Sequence, residues 1–308
     1  MYNDQNAIDV KNLTKFYGNV RGVEEISFTV DKGTIHGFLG PNGAGKTTTI
    51  RLLTGLLKPT YGEAQIYGLD AGSLKAKELI GYLPSDYELY RHYRVGEYLK
   101  YIAKMRNGAP LLDELLEVFD LDLSRRTKEL SRGNKQKVSI IQAFMHDPDI
   151  IIADEPTSGL DPIMQEEFDK LIRNFVKQGK TAFISSHILT EVQQICDLVT
   201  IISEGHIIDS GKIDELLKNV TRKAIIKTSK VISKTDLEQL LDAHVGEDNQ
   251  KGQIILYFNY PVKDFTKRIT ELDYVVDFTL PEPSLEEYFL PLYRKKETEY
   301  KYENTISF

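Results

Sequence analysis

The segment GPNGAGKTT, residues 40–48, constrains this chain more than any other, because it joins an apolar run to a helical pattern through a glycine-rich loop. The apolar run TIHGFLG leads into it, and TTTIRLLTGLL follows with helical spacing. The segment fits the pattern G-x-x-x-x-G-K-[S/T], with Gly40, Gly45, Lys46 and Thr47 in the four fixed places. The sequence therefore predicts an α/β core of the P-loop NTPase type, since a strand, this loop and a helix N-terminus together cradle phosphate groups.

Each residue type in this loop has a physical task. The glycines let successive backbone N–H groups point at phosphates, and Lys46 supplies positive charge for the β and γ phosphates. The Thr47 hydroxyl is placed to bind Mg²⁺. The alternative, a glycine-rich turn with an incidental Lys-Thr pair, does not explain the four fixed positions in this context. The predicted nucleotide-binding residues of the loop are Gly40, Pro41, Asn42, Gly43, Ala44, Gly45, Lys46, Thr47 and Thr48.

The segment DIIIADEP supplies two carboxylates where such a site needs them. Ile150 to Ala153 form an apolar run typical of a buried strand, and Asp154 and Glu155 follow it directly. Adjacent acids at the end of a buried strand are costly unless a cation or a proton transfer uses them. We therefore predict that Asp154 holds Mg²⁺, directly or through water, and that Glu155 polarises an attacking water.

The segment ELSRGNKQK precedes the apolar VSIIQAFM and presents a serine and a glycine at the start of a predicted helix. The simplest interpretation is that Ser131 caps this helix, because its hydroxyl can satisfy a free N–H group of the first turn. A helix N-terminus also binds anions, so a second role as a ligand site is compatible with capping.

Composition excludes several classes of function. The net charge of -7 argues against a nucleic-acid partner, which requires clustered Lys and Arg. Cys196 is the only cysteine, so no intrachain disulfide can form and a reducing compartment is expected. No signal peptide is visible, and the most apolar runs are shorter than the roughly 20 residues of a membrane-spanning helix.

The order of strand-like and helix-like segments predicts two domains and a tail. Residues 1–219 alternate short apolar strands with helices, apart from a helical insertion over about residues 86–145. Residues 220–294 contain three strand-like and two helix-like segments and are expected to form a small α+β domain. The tail, residues 295–308, mixes both charges with few apolar residues.

The segments GPNGAGKTT, LSRGNKQK, DIIIADEPTSGLDP and ISSH stand in an order that resembles the nucleotide-binding subunits of ATP-binding cassette (ABC) transporters. The resemblance covers residues 8–218 and implies ATP and Mg²⁺ as cofactors, ATP hydrolysis, and an antiparallel β subdomain beside the core. It also implies a head-to-tail pair of cassettes, in which Ser131, Gly133 and Asn134 complete the site of the partner.

The resemblance implies three further site residues. Tyr17, in KFYGNV, matches the aromatic residue that stacks on adenine. His187, which ends AFISSH, resembles the switch histidine that contacts the γ-phosphate and orients the water. Asp161, in SGLDP, lies in the loop that links the two active sites, and it is also expected to stabilise the helix that starts near Pro162.

This sequence departs from the family pattern at three positions. Arg132 stands where Gly is frequent, and its long side chain is expected to point away from the nucleotide contact. Asn134 replaces a longer Gln, and Ser85 replaces the Gln that binds Mg²⁺ and senses the membrane subunit. Ser85 is therefore predicted as a weaker metal ligand.

The residues after Ser85 suggest a contact with the membrane subunit. Tyr87, Leu89 and Tyr90 are suited to pack against a helix of that subunit, and the alternative is that they cover the core of the insertion.

The overall prediction is a peripheral subunit on the cytoplasmic face of the membrane that hydrolyses ATP to power a separate permease. The partner cassette is an identical chain or a paralogue. The segment PEPSLEEYFLPLY resembles the ending of exporter subunits for drugs, peptides, lipids or envelope components, and it also fits an ordinary capped helix. Import, sodium extrusion, and a cassette ATPase of translation or DNA repair remain alternatives.

Overall fold

The computed structural model describes residues 5–230, 232–246 and 253–292, which belong to two compact units, Met1–Ile213 and Asp214–Phe308. The assignment of residues 1–219 and 220–294 as domains stays a prediction, and the tail 295–308 lies outside the described residues. Among the described residues, no helix combines the length and the apolar character that crossing a bilayer demands.

The first unit contains ten strands, seven α-helices and one 3₁₀ helix, Thr127–Glu129, among the residues that the structure describes. The strands are β1 Asn6–Tyr17, β2 Val20–Asp31, β3 Ile35–Leu39, β4 Tyr61–Ile66, β5 Leu69–Asp70, β6 Ile80–Leu83, β7 Ile150–Asp154, β8 Thr181–Ser186, β9 Leu198–Ser203 and β10 His206–Lys212. The helices are α1 Lys46–Leu53, α2 Leu74–Leu79, α3 Val95–Met105, α4 Leu112–Phe119, α5 Arg132–Phe144, α6 Pro162–Lys177 and α7 Leu189–Ile195.

A central sheet in the order β10-β9-β3-β8-β7-β6 forms the core of this unit. Its strands are parallel except for β10, which pairs antiparallel with β9. Every residue of β3, β7 and β8 is buried, as expected for parallel strands that are covered on both faces. The carboxyl ends of these strands consequently lie at one edge, where the phosphate loop, Asp154, Glu155 and His187 are found.

A second sheet is antiparallel, in the order β2-β1-β4-β5. Its inward side chains pack toward the central sheet, and the ring of Phe28 stacks on that of Phe183 with centroids 5.8 Å apart. Between β6 and β7, helices α3, α4 and α5 pack on one another around Leu99, Phe119 and Val138. The predicted α/β core with an antiparallel subdomain and a helical insertion is therefore confirmed.

The second unit is a small α+β fold. Its elements are α8 Ile213–Lys218 at the boundary, β11 Arg222–Thr228, α9 Lys234–Leu241, β12 His244–Val245, β13 Gln253–Phe258, α10 Val262–Thr270, β14 Val275–Thr279 and a helix α11 over residues 285–292. The antiparallel order β12-β13-β11-β14, with one helix after β11 and one after β13, is the split βαβ arrangement. Its core includes Phe258 and Phe265, whose rings stack at 4.1 Å.

The segment PEPSLEEYFLPLY forms the capped helix that its sequence allows, and its last residue, Tyr293, lies outside the described residues. The Ser284 hydroxyl accepts from the backbone N of Glu287 at 3.2 Å, and the Glu287 carboxylate accepts from the backbone N of Ser284 at 3.2 Å. This reciprocal pair is a capping box. Glu287 also binds Lys223 of β11 at 2.5 Å, which ties the helix to the sheet of its own unit.

One buried group of the central sheet makes folding sensitive to acid. His36 of β3 is 1% exposed, and its Nε2 lies 2.8 Å from the Thr200 hydroxyl. Its Nδ1 has no hydrogen-bond partner among the described residues. Burial lowers the pKa of His36 to about 4, because the charged imidazolium loses its hydration.

We predict that acid destabilises the first unit through His36. Between the ordinary pKa of about 6.5 and the folded value, the unfolded chain binds a proton that the folded chain does not, so stability falls as pH falls through this window. The contribution is roughly 3 kcal/mol between pH 6.5 and 4. A His36→Leu variant should lose this part of the pH dependence of its urea-unfolding midpoint. In this variant Thr200 should keep a partner, because its hydroxyl also lies 2.7 Å from that of Ser210. Parallel plots of the unfolding midpoint against pH for the variant and the wild type would contradict the role of His36.

Candidate active site

The phosphate loop connects the end of β3 to α1, and two of its glycines lie where no side chain would fit. A Cβ on Gly40 would lie 2.3 Å from the carbonyl oxygen of Ile202. Gly45, the residue before α1, has φ +108, and a Cβ there would lie 2.6 Å from Val23. Backbone and neighbouring strands therefore pack too closely at Gly40 and Gly45 for any larger residue.

Lys46 begins α1 and is 5% exposed. Its Nζ donates to the carbonyl oxygens of Gly40 at 2.7 Å and of Pro41 at 3.1 Å. The same Nζ lies 3.3 Å from Oε1 of Glu155. A nearly buried ammonium group needs such compensation, and these contacts place its charge inside the loop that is predicted to bind phosphates.

Asp154 is the most buried carboxylate of the site, with 1% exposure at the end of β7. Its Oδ2 accepts from the hydroxyls of Thr47 at 2.8 Å and of Ser85 at 3.1 Å. Its Oδ1 accepts from the Ser185 hydroxyl at 2.7 Å. The hydroxyls of Thr47 and Ser85, two of the predicted metal-binding residues, therefore meet at one oxygen atom of the third, Asp154. An all-oxygen donor set of this kind suits Mg²⁺, so these residues fit the predicted ion.

Glu155 follows Asp154 and has a φ of 49, in the left-handed region that residues other than glycine seldom adopt. Its backbone N donates to the carbonyl oxygen of Ser185 at 3.2 Å and to the Ser185 hydroxyl at 3.1 Å. Its Oε1 lies 3.2 Å from Nδ1 of His187 and contacts Lys46. The predicted base, the predicted switch histidine and the loop lysine therefore converge on one carboxylate oxygen. Ser185 was not predicted, although the serine pair before His187 was visible in the sequence.

Tyr17 and the phosphate loop line one cleft. The Tyr17 hydroxyl lies 3.4 Å from that of Thr48, and the Tyr17 ring is exposed beside the loop. The cleft is lined by Tyr17, Val20, Arg21, Gly22, Asn42, Gly43, Gly45, Lys46, Thr47, Thr48 and Glu155. Ala44 is buried behind the loop. Val20 and Arg21 were missed, because no local pattern marks them and only the turn between β1 and β2 brings them here.

Ser131, Gly133 and Asn134, here termed the signature residues, lie outside the cleft. Ser131 caps α5, since its hydroxyl accepts from the backbone N of Asn134 at 3.3 Å. The position of a Cβ on Gly133 would have only the carbonyl oxygen of Gly159 nearby, at 3.8 Å, so its surroundings are open. Asp161 caps α6 by accepting from the backbone N of Met164 at 2.9 Å. None of these predicted residues lines the cleft of its own chain.

Arg132 points at the loop after β7. Its guanidinium donates to the Ser158 hydroxyl at 3.2 Å, and a Cβ on Gly159 would lie 2.8 Å from its Nε. The side chain therefore packs within its own chain, which leaves the Ser131 hydroxyl and the Gly133 backbone accessible, as the sequence led us to expect.

The segment after Ser85 divides between core and surface. Leu89 is only 7% exposed and belongs to the core of the insertion, so its prediction as a contact residue is wrong. The Tyr87 hydroxyl donates to the carbonyl oxygen of Arg132 at 3.2 Å. Tyr90 is 57% exposed, and its ring lies 6.0–6.2 Å from those of Tyr93, Tyr98 and Tyr101. These four rings, here termed the tyrosine cluster, pack together on the insertion, with Tyr90 and Tyr101 exposed and Tyr98 buried.

The chain is similar to proteins of one family. A family model described as "ABC transporter" matches residues 23–158. BcrA of Bacillus licheniformis, a bacitracin transport ATP-binding protein, is 38% identical over 299 residues, which cover 92% of this chain and 96% of that protein. YbhF of Escherichia coli (strain K12), a probable multidrug ABC transporter ATP-binding protein, is 36% identical over 69% of this chain and 38% of its own length.

The fold agrees with that of a solved structure described as the ATP binding subunit of an ABC transporter. The two superpose with a TM-score of 0.64 at 30% sequence identity, over 68% of this chain and 91% of that chain.

Proposed function

This chain belongs to the ATP-binding proteins of ABC transporters, it is an ATPase, and we propose that it powers a separate membrane permease for the export of a drug or a peptide. One observation supports the hydrolytic part above all others. The Glu155 carboxylate contacts both His187 and Lys46 beside the hydroxyl-bound Asp154. A base, an orienting imidazole and a cation for phosphates therefore share one site.

The residues of the cleft divide the work of binding and hydrolysis. Tyr17 stacks on the adenine, and the backbone N–H groups of the phosphate loop and Lys46 bind the phosphates. Glu155 accepts a proton from the attacking water, and His187 orients that water and contacts the γ-phosphate.

The metal would be held by Thr47 and Asp154, with Ser85 as a third oxygen donor. When bound, Mg²⁺ neutralises the charge of the phosphates in the transition state. Before it binds, the three hydroxyls that surround Asp154 keep this carboxylate in place at the end of β7.

The site is proposed to be completed by a second cassette, identical or paralogous. Ser131 and the Gly133 N–H lie at the N-terminus of α5 and outside the cleft of their own chain, so they are available to the γ-phosphate of a partner. Asn134 extends this contact, and Asp161 lies in the loop that connects the two sites.

The names of the relatives support the proposed class of cargo. BcrA is named for bacitracin transport, and its similarity extends over both units of this chain. A drug or a peptide is therefore favoured as cargo over lipids or envelope components, and the resemblance of PEPSLEEYFLPLY to the ending of exporter subunits supports export over import and over sodium extrusion. The subunit is proposed to lie at the cytoplasmic face of the membrane as a peripheral protein, without nucleic acid as a partner.

Replacement of Glu155 by Gln should abolish most hydrolysis while preserving ATP binding. The amide keeps the shape but cannot accept the proton, and the loss of a general base typically lowers the rate by about 10²- to 10⁴-fold. ATP should then trap a dimer that size-exclusion chromatography resolves. Glu166→Gln, on the exposed face of α6, is the matched control. Hydrolysis by Glu155→Gln at the wild-type rate would exclude the proposed role.

The composite site is tested by mixing two inactive chains. Ser131→Arg should block the contact with the partner, and Lys46→Ala should disable the phosphate loop, so neither chain alone should hydrolyse ATP. Their heterodimer contains one complete site, formed by the phosphate loop of the first chain and the signature residues of the second. Detectable ATPase activity of the mixture is expected. The control is a heterodimer of wild type and Lys46→Ala, which also contains one complete site. If this control is active and the confirmed heterodimer of the two mutants is inactive, a shared site is contradicted.

The tyrosine cluster is proposed to contact the permease, because it exposes aromatic groups on the segment that follows Ser85. Tyr90→Ala should leave the ATPase of the isolated subunit unchanged and weaken both assembly with the permease and transport. Tyr61→Ala, which removes an even more exposed ring from β4, should change neither. Unchanged assembly and transport in Tyr90→Ala would refute this contact.

A further inference from the structure

Glu191, in the first turn of α7, joins two loops of the site. Its Oε2 accepts from the Thr157 hydroxyl at 3.0 Å and from the Ser186 hydroxyl at 3.1 Å. Thr157 belongs to the loop after β7, and Ser186 ends β8. One carboxylate oxygen therefore holds together the chain segments that leave two neighbouring strands.

The first segment carries the switch histidine. Ser186 directly precedes His187, and its hydroxyl accepts from the backbone N of Ile188 at 2.9 Å, which closes the turn around His187. The carbonyl oxygen of Ser186 accepts from the backbone N of Gly40 at 3.3 Å. The turn is thus attached to the phosphate loop through its backbone and to Glu191 through its side chain.

The second segment carries the base. Thr157 follows Glu155 by two positions, and the backbone N of Ser158 donates to the carbonyl oxygen of Glu155 at 3.2 Å, so the segment is a tight turn. A displacement of Thr157 consequently moves the start of this turn. Glu155 and His187, which lie on the two segments that Glu191 joins, are 3.2 Å apart.

From these contacts we infer that Glu191 is a positioning residue for hydrolysis, which acts by keeping the Glu155 carboxylate and the His187 ring in contact. The inference rests on the proposed roles of Glu155 and His187. Both partners of Glu191 donate through hydroxyl groups, so the function needs an acceptor oxygen and not a negative charge. A glutamine, which has such an oxygen in the same place, preserves it.

The test is the ATPase of the full-length subunit with four single variants. Glu191→Ala should lower kcat roughly 10- to 100-fold, because a displacement of about 1 Å between reacting groups has effects of this size. The KM for ATP should change less than about twofold, since Tyr17, Lys46 and the loop amides are untouched. Glu191→Gln should retain most of the wild-type kcat. Glu166→Ala, an exposed position on α6, is the matched control and should behave as wild type.

Thr157→Val removes one of the two bonds without altering Glu191 and decides the question even if Glu191→Ala fails to fold. It should lower kcat, and the Glu191→Ala, Thr157→Val double variant should lose no more than Glu191→Ala alone, because both changes remove the same interaction. Wild-type kcat in a folded Glu191→Ala or in Thr157→Val, or a Glu191→Gln as slow as Glu191→Ala, would overturn the inference. Wild-type hydrolysis by Glu155→Gln and by His187→Ala would instead refute the proposed site itself.

Discussion

The carboxylate of Asp154 is the point on which the site depends. It is buried at the end of β7 and accepts hydroxyl groups from Thr47, Ser85 and Ser185, which belong to three different segments. A buried carboxylate is costly without such partners, so its hydrogen bonds also determine where the three segments lie. The phosphate loop, the segment toward the tyrosine cluster and the end of β8 are consequently fixed relative to one another by one side chain.

Charge compensation beside Asp154 connects the remaining residues. Lys46 lies within the loop, where two carbonyl oxygens and Glu155 surround its ammonium group. Glu155 in turn contacts His187, and Glu191 fastens the turns on which both of them sit.

Local patterns predicted the buried parts of the fold well and its exposed edges poorly. Apolar runs such as DIIIAD and TAFISS became β7 and β8, because strands covered on both faces need apolar residues throughout. Strands β4, β5 and β10 were not predicted, since most of their residues are exposed or half-buried and carry no apolar run. Leu89 was interpreted as a contact for the permease or as part of the core of the insertion, and the packing of the insertion buries it, as the second interpretation predicts.

The sequence by itself determined the chemistry of each short segment. The caps Ser131 and Asp161 act on backbone atoms three positions along the chain, and the residue types of the phosphate loop and of the two acids after β7 indicated which chemistry each segment supports. Only the tertiary structure decided which segments meet. Thr47, Ser85 and Ser185 are 107, 69 and 31 positions from Asp154. Ser85 follows β6 and Ser185 lies in β8, the two neighbours of β7, and Thr47 follows β3, the parallel strand beside β8, so all of them lie at the same edge of the sheet. Contacts over such separations depend on strand order, which no local pattern of residues encodes.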